Sequence, residues 1–143
     1  MTTDQKGAIA ETAIIHEAVK LGIGVLKPLT DGHRYDLIFD LESRLVRVQC
    51  KWAVRRGDVV VVRCRSSRRT RDGVIHRPYS ADEIDAVAAY CADLDRSFFL
   101  SIADCAGRRE VCLRLSSPRN NQRRGVNWAD DFAFAARLTS LGP

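Results

Sequence analysis

The sequence predicts a single α/β or α+β domain, and three observations lead to that prediction. The chain opens with a segment of helical period, continues with several short segments of alternating apolar and polar residues, and closes with a second helical segment. A length of 143 residues with 45% hydrophobic residues suits one domain with a substantial core. We therefore expect one domain over residues 1–143.

The first predicted element is an amphipathic helix over residues 6–21, ended by Gly22. Placing successive residues about 100° apart puts Ile14 and Ala18 on its apolar face. Glu11 falls in the middle of the same face, where a carboxylate is costly unless it is paired or bound to a cation. A buried salt bridge to an arginine and a metal site are the two interpretations, and the helix alone does not separate them.

The centre of the predicted sheet is a hairpin within residues 35–52, whose sequence is YDLIFDLESRLVRVQCKW. Its alternation predicts two strands joined by a tight turn at Glu42-Ser43. Paired residue numbers then sum to 85, so Asp36 lies opposite Gln49, and Lys51 is a diagonal neighbour on the same face. An acid, an amide and an amine are thus expected to converge, unless a bulge shifts the register.

The remaining elements are predicted with less detail. Strands are expected at residues 25–26, 58–65, 96–102 and 109–115, the last two joined as a hairpin across residues 104–107. Residues 66–73 are polar and basic and are expected to form a loop, and Asn127 is expected to cap a helix that runs to Leu138. Residues 80–95 fit either a helix or one helical turn followed by a strand over residues 85–91.

Charge is concentrated in one segment. The net charge is +5, and residues 55–77 hold eight arginines against Asp58 and Asp72, which gives that segment a charge of 8 − 2 = +6. A localised arginine-rich segment is typical of proteins that bind a phosphate backbone. The alternative is a solvated arginine-rich surface.

Several classes of protein are disfavoured by composition. The five cysteines are odd in number and form no C-x-x-C pair, and the three histidines are scattered, so neither a disulfide framework nor a zinc site is expected. No apolar run approaches the roughly 20 residues that span a bilayer. The first residues, MTTDQKG, lack the pattern of a signal peptide. We expect a cytoplasmic protein with no membrane partner.

Glu11, Asp36 and Gln49-Cys50-Lys51 together resemble the PD-(D/E)xK nuclease superfamily. The segments KGAIAETAIIHEAVKLG, LKPLTDGHRYDLIFD, VRVQCKW, RCRSS, NNQ and NWADDF resemble, more closely, the intron-encoded (group I intron) PD-(D/E)xK homing endonucleases. The resemblance covers about residues 6–134. It implies a restriction-endonuclease-like fold, shared with archaeal Holliday-junction resolvases, in which helices flank a central mixed β-sheet, and it favours a strand over residues 85–91.

The resemblance also implies roles for the four polar residues. Asp36 matches the metal-binding acid, Gln49 the second metal ligand, Glu11 the glutamate of the first helix and Lys51 the catalytic lysine. The implied activity is hydrolysis of DNA phosphodiester bonds with Mg²⁺ or Mn²⁺, which supplies an activated water and offsets phosphate charge. Gln49 replaces the commoner Glu or Asp, so we expect weak metal affinity in the absence of DNA.

The same resemblance, together with the charge, predicts contacts with DNA. Arg63, Arg65, Ser66 and Arg68 are expected to hold the backbone, because arginine pairs with phosphate through two hydrogen bonds. Asn121 and Gln122 are expected to contact backbone or base edges. Because so short a chain holds one active site, cutting two strands implies a homodimer or homotetramer. A DNA substrate implies association with the nucleoid. A DNA-binding protein that has lost the chemistry, or a domain that binds RNA, are the alternatives.

Overall fold

The computed structural model describes residues 1–116 and 126–141, and a long N-terminal helix packed on a mixed sheet dominates this part of the chain. The elements in chain order are α1 (Thr3–Lys20), β1 (Gly24–Leu26), β2 (Leu37–Asp40), β3 (Leu45–Trp52), β4 (Val54–Arg56), β5 (Val59–Arg63), β6 (Arg65–Thr70), β7 (Gly73–Pro78), β8 (Ala86–Cys91), β9 (Arg96–Ser101), α2 (Ile102–Cys105), β10 (Glu110–Arg114), a 3₁₀ turn (Ala129–Phe132) and α3 (Phe134–Leu141). Within residues 1–116 and 126–141, no helix is both long enough and apolar enough to cross a membrane.

Helix α1 begins earlier than expected because Thr2 caps it. The Thr2 hydroxyl accepts a hydrogen bond from the backbone N–H of Gln5, and the Gln5 side chain accepts one from the backbone of Thr2. The predicted end of the helix is confirmed: Gly22 adopts a φ of 78°, a left-handed conformation that favours glycine.

The central sheet has five strands in the order β1-β2-β3-β8-β9. Its neighbours run antiparallel except β3 and β8, which are parallel, so the sheet is mixed. In the β2–β3 hairpin Leu37 pairs with Val48 and Asp40 with Leu45, so the pair numbers sum to 85 and the predicted register is confirmed. The turn needs a positive φ of 69° at Glu42, whose N–H donates to Asp40 Oδ1 at 2.9 Å.

Different elements cover the two faces of the central sheet. On one face α1 and α3 enclose a cluster that includes Ile14, Phe39, Val48, Phe99 and Phe134. On the other face lies a second, antiparallel sheet in the order β10-β5-β4. The predicted mixed sheet is therefore confirmed, with helices on one side and a sheet on the other.

The valines of β5 explain why that strand reads as buried on both faces. Val60 and Val62 belong to the cluster between the sheets, and Val61, which points away from them, is also buried. The predicted strand over residues 85–91 is confirmed as β8, which follows a turn at residues 81–83. Its buried small residues let it lie inside the sheet, between β3 and β9.

Residues 66–73 are not the loop that their polar composition predicts. They form most of an antiparallel hairpin of β6 and β7, in which Ser67 pairs with His76 and Arg69 with Val74. Its tight turn ends at Gly73, which has a φ of 125°. Both strands are mostly exposed, so they lack the apolar alternation that marks a half-buried strand.

Two expectations for the C-terminal half are wrong. Strands β9 and β10 do not form a hairpin, because Ser101 and Asp104 build a capping box that starts α2 and directs β10 to the edge of β5. Asn127 does not cap the last helix. Its carbonyl accepts a hydrogen bond from the N–H of Arg114 at 2.7 Å, and α3 begins only after the 3₁₀ turn, at Phe134.

Phe39→Ala should lower the free energy of unfolding by about 3–5 kcal/mol, as expected for a buried phenylalanine replaced by alanine. Phe39 is fully buried and its ring centroid lies 6.5 Å from that of Phe99 and 6.0 Å from that of Phe134. Urea unfolding followed by circular dichroism measures the change. Leu29→Ala, at a fully exposed side chain, is the control and should change stability by less than about 0.5 kcal/mol. Similar losses in both variants would contradict this core assignment.

Candidate active site

Asp36 is held at the start of the central hairpin. Its backbone N–H donates at 2.9 Å to the carbonyl of Val48, which is also the register partner of Leu37, so the regular β2–β3 pairing ends at Leu37. Its carboxylate Oδ2 accepts a hydrogen bond from the backbone N–H of Cys50, also at 2.9 Å. Backbone on both sides therefore determines where this carboxylate points.

The pKa of the Asp36 carboxyl is raised above its ordinary value. Burial is the main cause, and the charge of Glu11 adds to it, while the hydrogen bond from Cys50 and the charges of Lys51 and Lys27 act in the opposite direction. A half-buried carboxylate close to a second carboxylate favours a bound cation.

Glu11 reaches the same region from α1 and is paired with a lysine, whereas the sequence led us to consider an arginine. The Glu11 carboxylate lies 2.6 Å from Lys27 Nζ, and 22% of the Glu11 side chain is exposed. Lys27 directly follows β1, and its pKa is raised by the hydrogen bond and the charge of Glu11. The sequence analysis did not identify Lys27, because nothing local marks the lysine of LKPLT as a partner of the helix.

Gln49 and Lys51 lie two residues apart on β3, so their side chains point to the same face of the sheet. Gln49 lies beside Val87 of β8, whereas the β2–β3 register ends at Leu37 and Val48, so the pairing of Asp36 with Gln49 stays a prediction. Lys51 is half-buried and its Nζ donates to the carbonyl of Arg65 at 3.2 Å. Burial lowers the pKa of Lys51, although the charge of Asp36 partly offsets that effect. Strand β3 thus places Gln49 and a lysine with a lowered pKa on one face, and the N–H of Cys50 between them holds the Asp36 carboxylate.

Arg34 and Tyr79 form a second layer around Lys51 that the sequence analysis did not identify. Lys51 Nζ lies 5.0 Å and the Arg34 guanidinium 4.4 Å from the centre of the Tyr79 ring. Arg34 also donates to Ser66 Oγ at 3.0 Å and to the carbonyl of Pro78 at 2.9 Å. Arg34 therefore fastens the β6–β7 hairpin beside the site. The sequence offered one indication that Arg34 lies near the site, namely its position two residues before Asp36.

Cys50 lies between the two polar residues of β3, and its side chain packs against the cluster under the helices. Burial, with the charges of Asp36 and Glu11, strongly raises the pKa of its thiol. A raised thiol pKa disfavours the thiolate form that binds soft metals. Its contribution to the site is its backbone N–H.

The predicted DNA contacts have different surroundings. Arg63 and Arg68 are exposed and Arg65 is half-buried. The Ser66 hydroxyl accepts from Arg34 and donates to the carbonyl of Arg77 at 3.3 Å, so it links the hairpin to the body of the protein. The other two predicted contacts, Asn121 and Gln122, lie outside the described residues.

Two carboxylates and an amide are oxygen donors of the kind that a magnesium ion takes. Across residues 1–116 and 126–141, no three His, Cys, Asp or Glu side chains gather in a group that could hold a metal. Asp36 and Glu11 offer two carboxylates, however, and Gln49 an amide oxygen. Hard oxygen donors in small number suit Mg²⁺, which keeps several waters and takes further ligands from substrate phosphates. The set carries one negative charge fewer than three carboxylates would.

Asp36→Asn should make the protein more stable at neutral pH when no divalent cation is present. Because the carboxyl binds its proton more tightly in the folded chain, the wild type loses stability as the pH rises from the ordinary aspartate pKa through the raised one. The asparagine can still accept from Cys50, and the difference should vanish at acidic pH. Urea unfolding over a pH series measures it, with the exposed Asp40→Asn as control. A less stable Asp36→Asn protein at neutral pH would contradict the raised pKa.

Comparison with known proteins identifies the family and the fold of the chain. Residues 1–135 match the family model described as PD-(D/E)XK endonuclease. No curated protein sequence matches the chain. Among solved structures, the bacterial homing endonuclease I-Ssp6803I is similar, with 30% sequence identity, 97% of this chain and 93% of that chain covered, and a TM-score of 0.77. Both the family and the restriction-endonuclease-like fold predicted from the motifs are confirmed, and the chain belongs to the PD-(D/E)XK endonuclease family.

Proposed function

We propose that this protein is a metal-dependent DNA endonuclease whose central catalytic residues are Asp36 and Lys51. The observation that carries the proposal is their arrangement on one hairpin. The Asp36 carboxylate is fixed by the N–H of Cys50, and the half-buried Lys51 follows that residue directly on β3. An oriented carboxylate beside a lysine of lowered pKa is suited to hydrolysis of a phosphodiester bond.

Asp36, Gln49 and Glu11 would hold Mg²⁺ or Mn²⁺. When bound, the ion would supply a water of lowered pKa and offset charge on the phosphate. Glu11 is now paired with Lys27, so Glu11 would exchange that ammonium for the ion. Lys27 is two-thirds exposed and can move into solvent without loss of packing.

Lys51 would act on the attacking water or on the phosphate. The carbonyl of Arg65 and the ring of Tyr79 hold its Nζ in position. Because burial lowers its pKa, the amine gives up its proton more readily than a solvated lysine and can accept one from water. In its charged form the same group would stabilise the negative charge that develops on the phosphate.

The DNA would lie along the basic segment that follows the site. Arg63, Arg65 and Arg68 continue from β5 into β6, close to Lys51. Ser66 supports this surface through Arg34, and Asn121 and Gln122 remain proposed contacts. Binding through several arginines would weaken steeply as salt rises.

Two substrates are compatible with these residues. The similarity to a bacterial homing endonuclease favours duplex DNA with a defined site, and the resemblance to junction resolvases favours four-way junctions. Cleavage of both DNA strands would require a homodimer or homotetramer, with one active site for each strand. The protein would act in the cytoplasm, on DNA of the nucleoid.

A second candidate function is DNA binding without cleavage. It is favoured by the amide of Gln49 and by the lysine that already neutralises Glu11. This alternative predicts salt-sensitive DNA binding with no strand cleavage in Mg²⁺ or Mn²⁺.

Asp36→Ala and Lys51→Ala should each lower the rate of DNA nicking about 100-fold or more, the usual loss for a group that moves a proton or binds the metal. The assay uses plasmid, linear duplex and four-way-junction DNA with Mg²⁺ or Mn²⁺. Asp93→Ala and Lys20→Ala make the same changes at exposed positions and should leave the rate unchanged. Full nicking activity in both site variants would overturn the proposed function, and binding without nicking by the wild type would support the second candidate.

Gln49→Glu should tighten Mg²⁺ binding about tenfold, because it adds a charge to the ligand set. Calorimetric titration of the DNA-free protein measures the affinity, and the dependence of nicking on Mg²⁺ concentration provides a second readout. Ser43→Glu adds the same charge at the far end of the hairpin and is the control. Equal Mg²⁺ affinity in Gln49→Glu and Ser43→Glu would show that Gln49 does not face the metal.

A further inference from the structure

A basic cleft lies beside the candidate active site. It has a volume of about 370 Å³ and lies between the β6–β7 hairpin and the neighbouring ends of β5 and β10. Its lining residues are Arg63, Arg65, Ser67, His76, Arg109 and Glu110. Only Arg63 and Arg65 of these were singled out from the sequence. Arg109 lies outside the arginine-rich segment of residues 55–77.

Strand register brings these side chains together. Arg65 and Ser67 alternate along β6 and so share a face, and His76 is the register partner of Ser67. The Ser67 hydroxyl contacts the His76 ring at Nδ1, 2.8 Å away. Arg63 is the partner of Glu110 across β5 and β10, and Arg109 precedes Glu110. The cleft is thus built from four strands, β5, β6, β7 and β10.

The chemistry of the lining favours a phosphate group. Three guanidinium groups face one carboxylate, which leaves an excess of positive charge. Guanidinium groups match phosphate oxygens through paired hydrogen bonds, and the Ser67 hydroxyl adds another polar group. The charge of Glu110 offsets part of the excess, so we expect one phosphodiester rather than a cluster of phosphates.

Arg65 connects the cleft with the candidate active site. Its carbonyl accepts the hydrogen bond from Lys51 Nζ at 3.2 Å, while its side chain lines the cleft. The backbone next to it is also fixed, because the N–H of Cys64 donates to the carbonyl of Arg109 at 2.9 Å. A phosphate in the cleft would therefore contact Arg65, the residue whose carbonyl holds Lys51.

We propose that this cleft is a second phosphate subsite, which binds a backbone phosphate of the DNA near the one that is cleaved. The inference rests on the proposed function, in that the ligand is the DNA on which the site acts. Arg109, Ser67 and His76 are its new members. The subsite holds the strand so that a neighbouring phosphate reaches Asp36 and Lys51.

The experiment compares an arginine of the cleft with an arginine that lies in the arginine-rich segment but outside the cleft. Arg109→Gln removes a cleft residue that lies outside the arginine-rich segment. Arg56→Gln removes an exposed arginine within that segment, at the end of β5 opposite to Arg63. The two ends of β5 are roughly 13 Å apart along the strand. Affinity for labelled duplex and four-way-junction DNA is measured by anisotropy in EDTA over a series of KCl concentrations.

Loss of one phosphate contact should reduce the magnitude of the slope of log affinity against log salt by about 0.9. We expect that reduction in Arg109→Gln and not in Arg56→Gln, with the wild-type slope restored in Arg109→Lys. Arg63→Gln should show the same reduction and replaces Arg109→Gln if that variant does not fold, which thermal melting determines.

Each result bears on a different part of the proposal. Equal slopes in the Arg109→Gln or Arg63→Gln protein and the Arg56→Gln protein would overturn the subsite even if the wild type cuts DNA. A wild type that binds DNA with the expected slopes but never nicks it would leave the subsite in place and overturn the nuclease. A wild type that binds no DNA would overturn both.

Discussion

The register of the β2–β3 hairpin is the constraint on which the rest of the site depends. With the pair numbers of residues 37–40 and 45–48 fixed at a sum of 85, the N–H of Cys50 meets the Asp36 carboxylate, and the charge of that carboxylate acts on Lys51. A slip of one residue would turn Gln49 and Lys51 towards α1 and bring apolar side chains into the site. Fold and candidate catalytic site therefore depend on the same hydrogen bonds, and the buried Phe39 and Val48 that stabilise the hairpin also protect its chemistry.

Electrostatics at the site favours binding over stability. Asp36 is half-buried close to Glu11, and its pKa is raised, so its ionised form reduces the stability of the folded protein. Lys27 neutralises Glu11 from solvent, and Lys51 is held against a carbonyl and an aromatic ring. Such an arrangement is expected where a cation and a phosphate complete the charge balance, because charges placed for binding are costly when the partners are absent.

The second sheet and the β6–β7 hairpin give the site its outer wall. The small sheet buries the valines of β5 against β8 and β9 and so directs Arg63 and Arg65 past the end of the β2–β3 hairpin. Arg34 then ties Ser66 and Pro78 to the body of the protein, with Tyr79 between Arg34 and Lys51. The arginine-rich segment is thus an ordered two-stranded ribbon beside the site, with a fixed position relative to Lys51.

The sequence by itself determined α1, the central hairpin with its register, the strand β8 and the family. These features depend on local periodicity and on motifs, and a strand period of two leaves little freedom once one face is buried. Only the tertiary structure decided the pairing of Glu11 with Lys27, the layer of Arg34 and Tyr79 around Lys51, and the placement of Arg109 beside Arg65. The tertiary structure also shows that the expected basic loop forms β6 and β7, and that β10 pairs with β5 and not with β9. Contacts between distant parts of the chain produce each of these features, and exposed strands and long-range ion pairs leave no periodic pattern in the sequence.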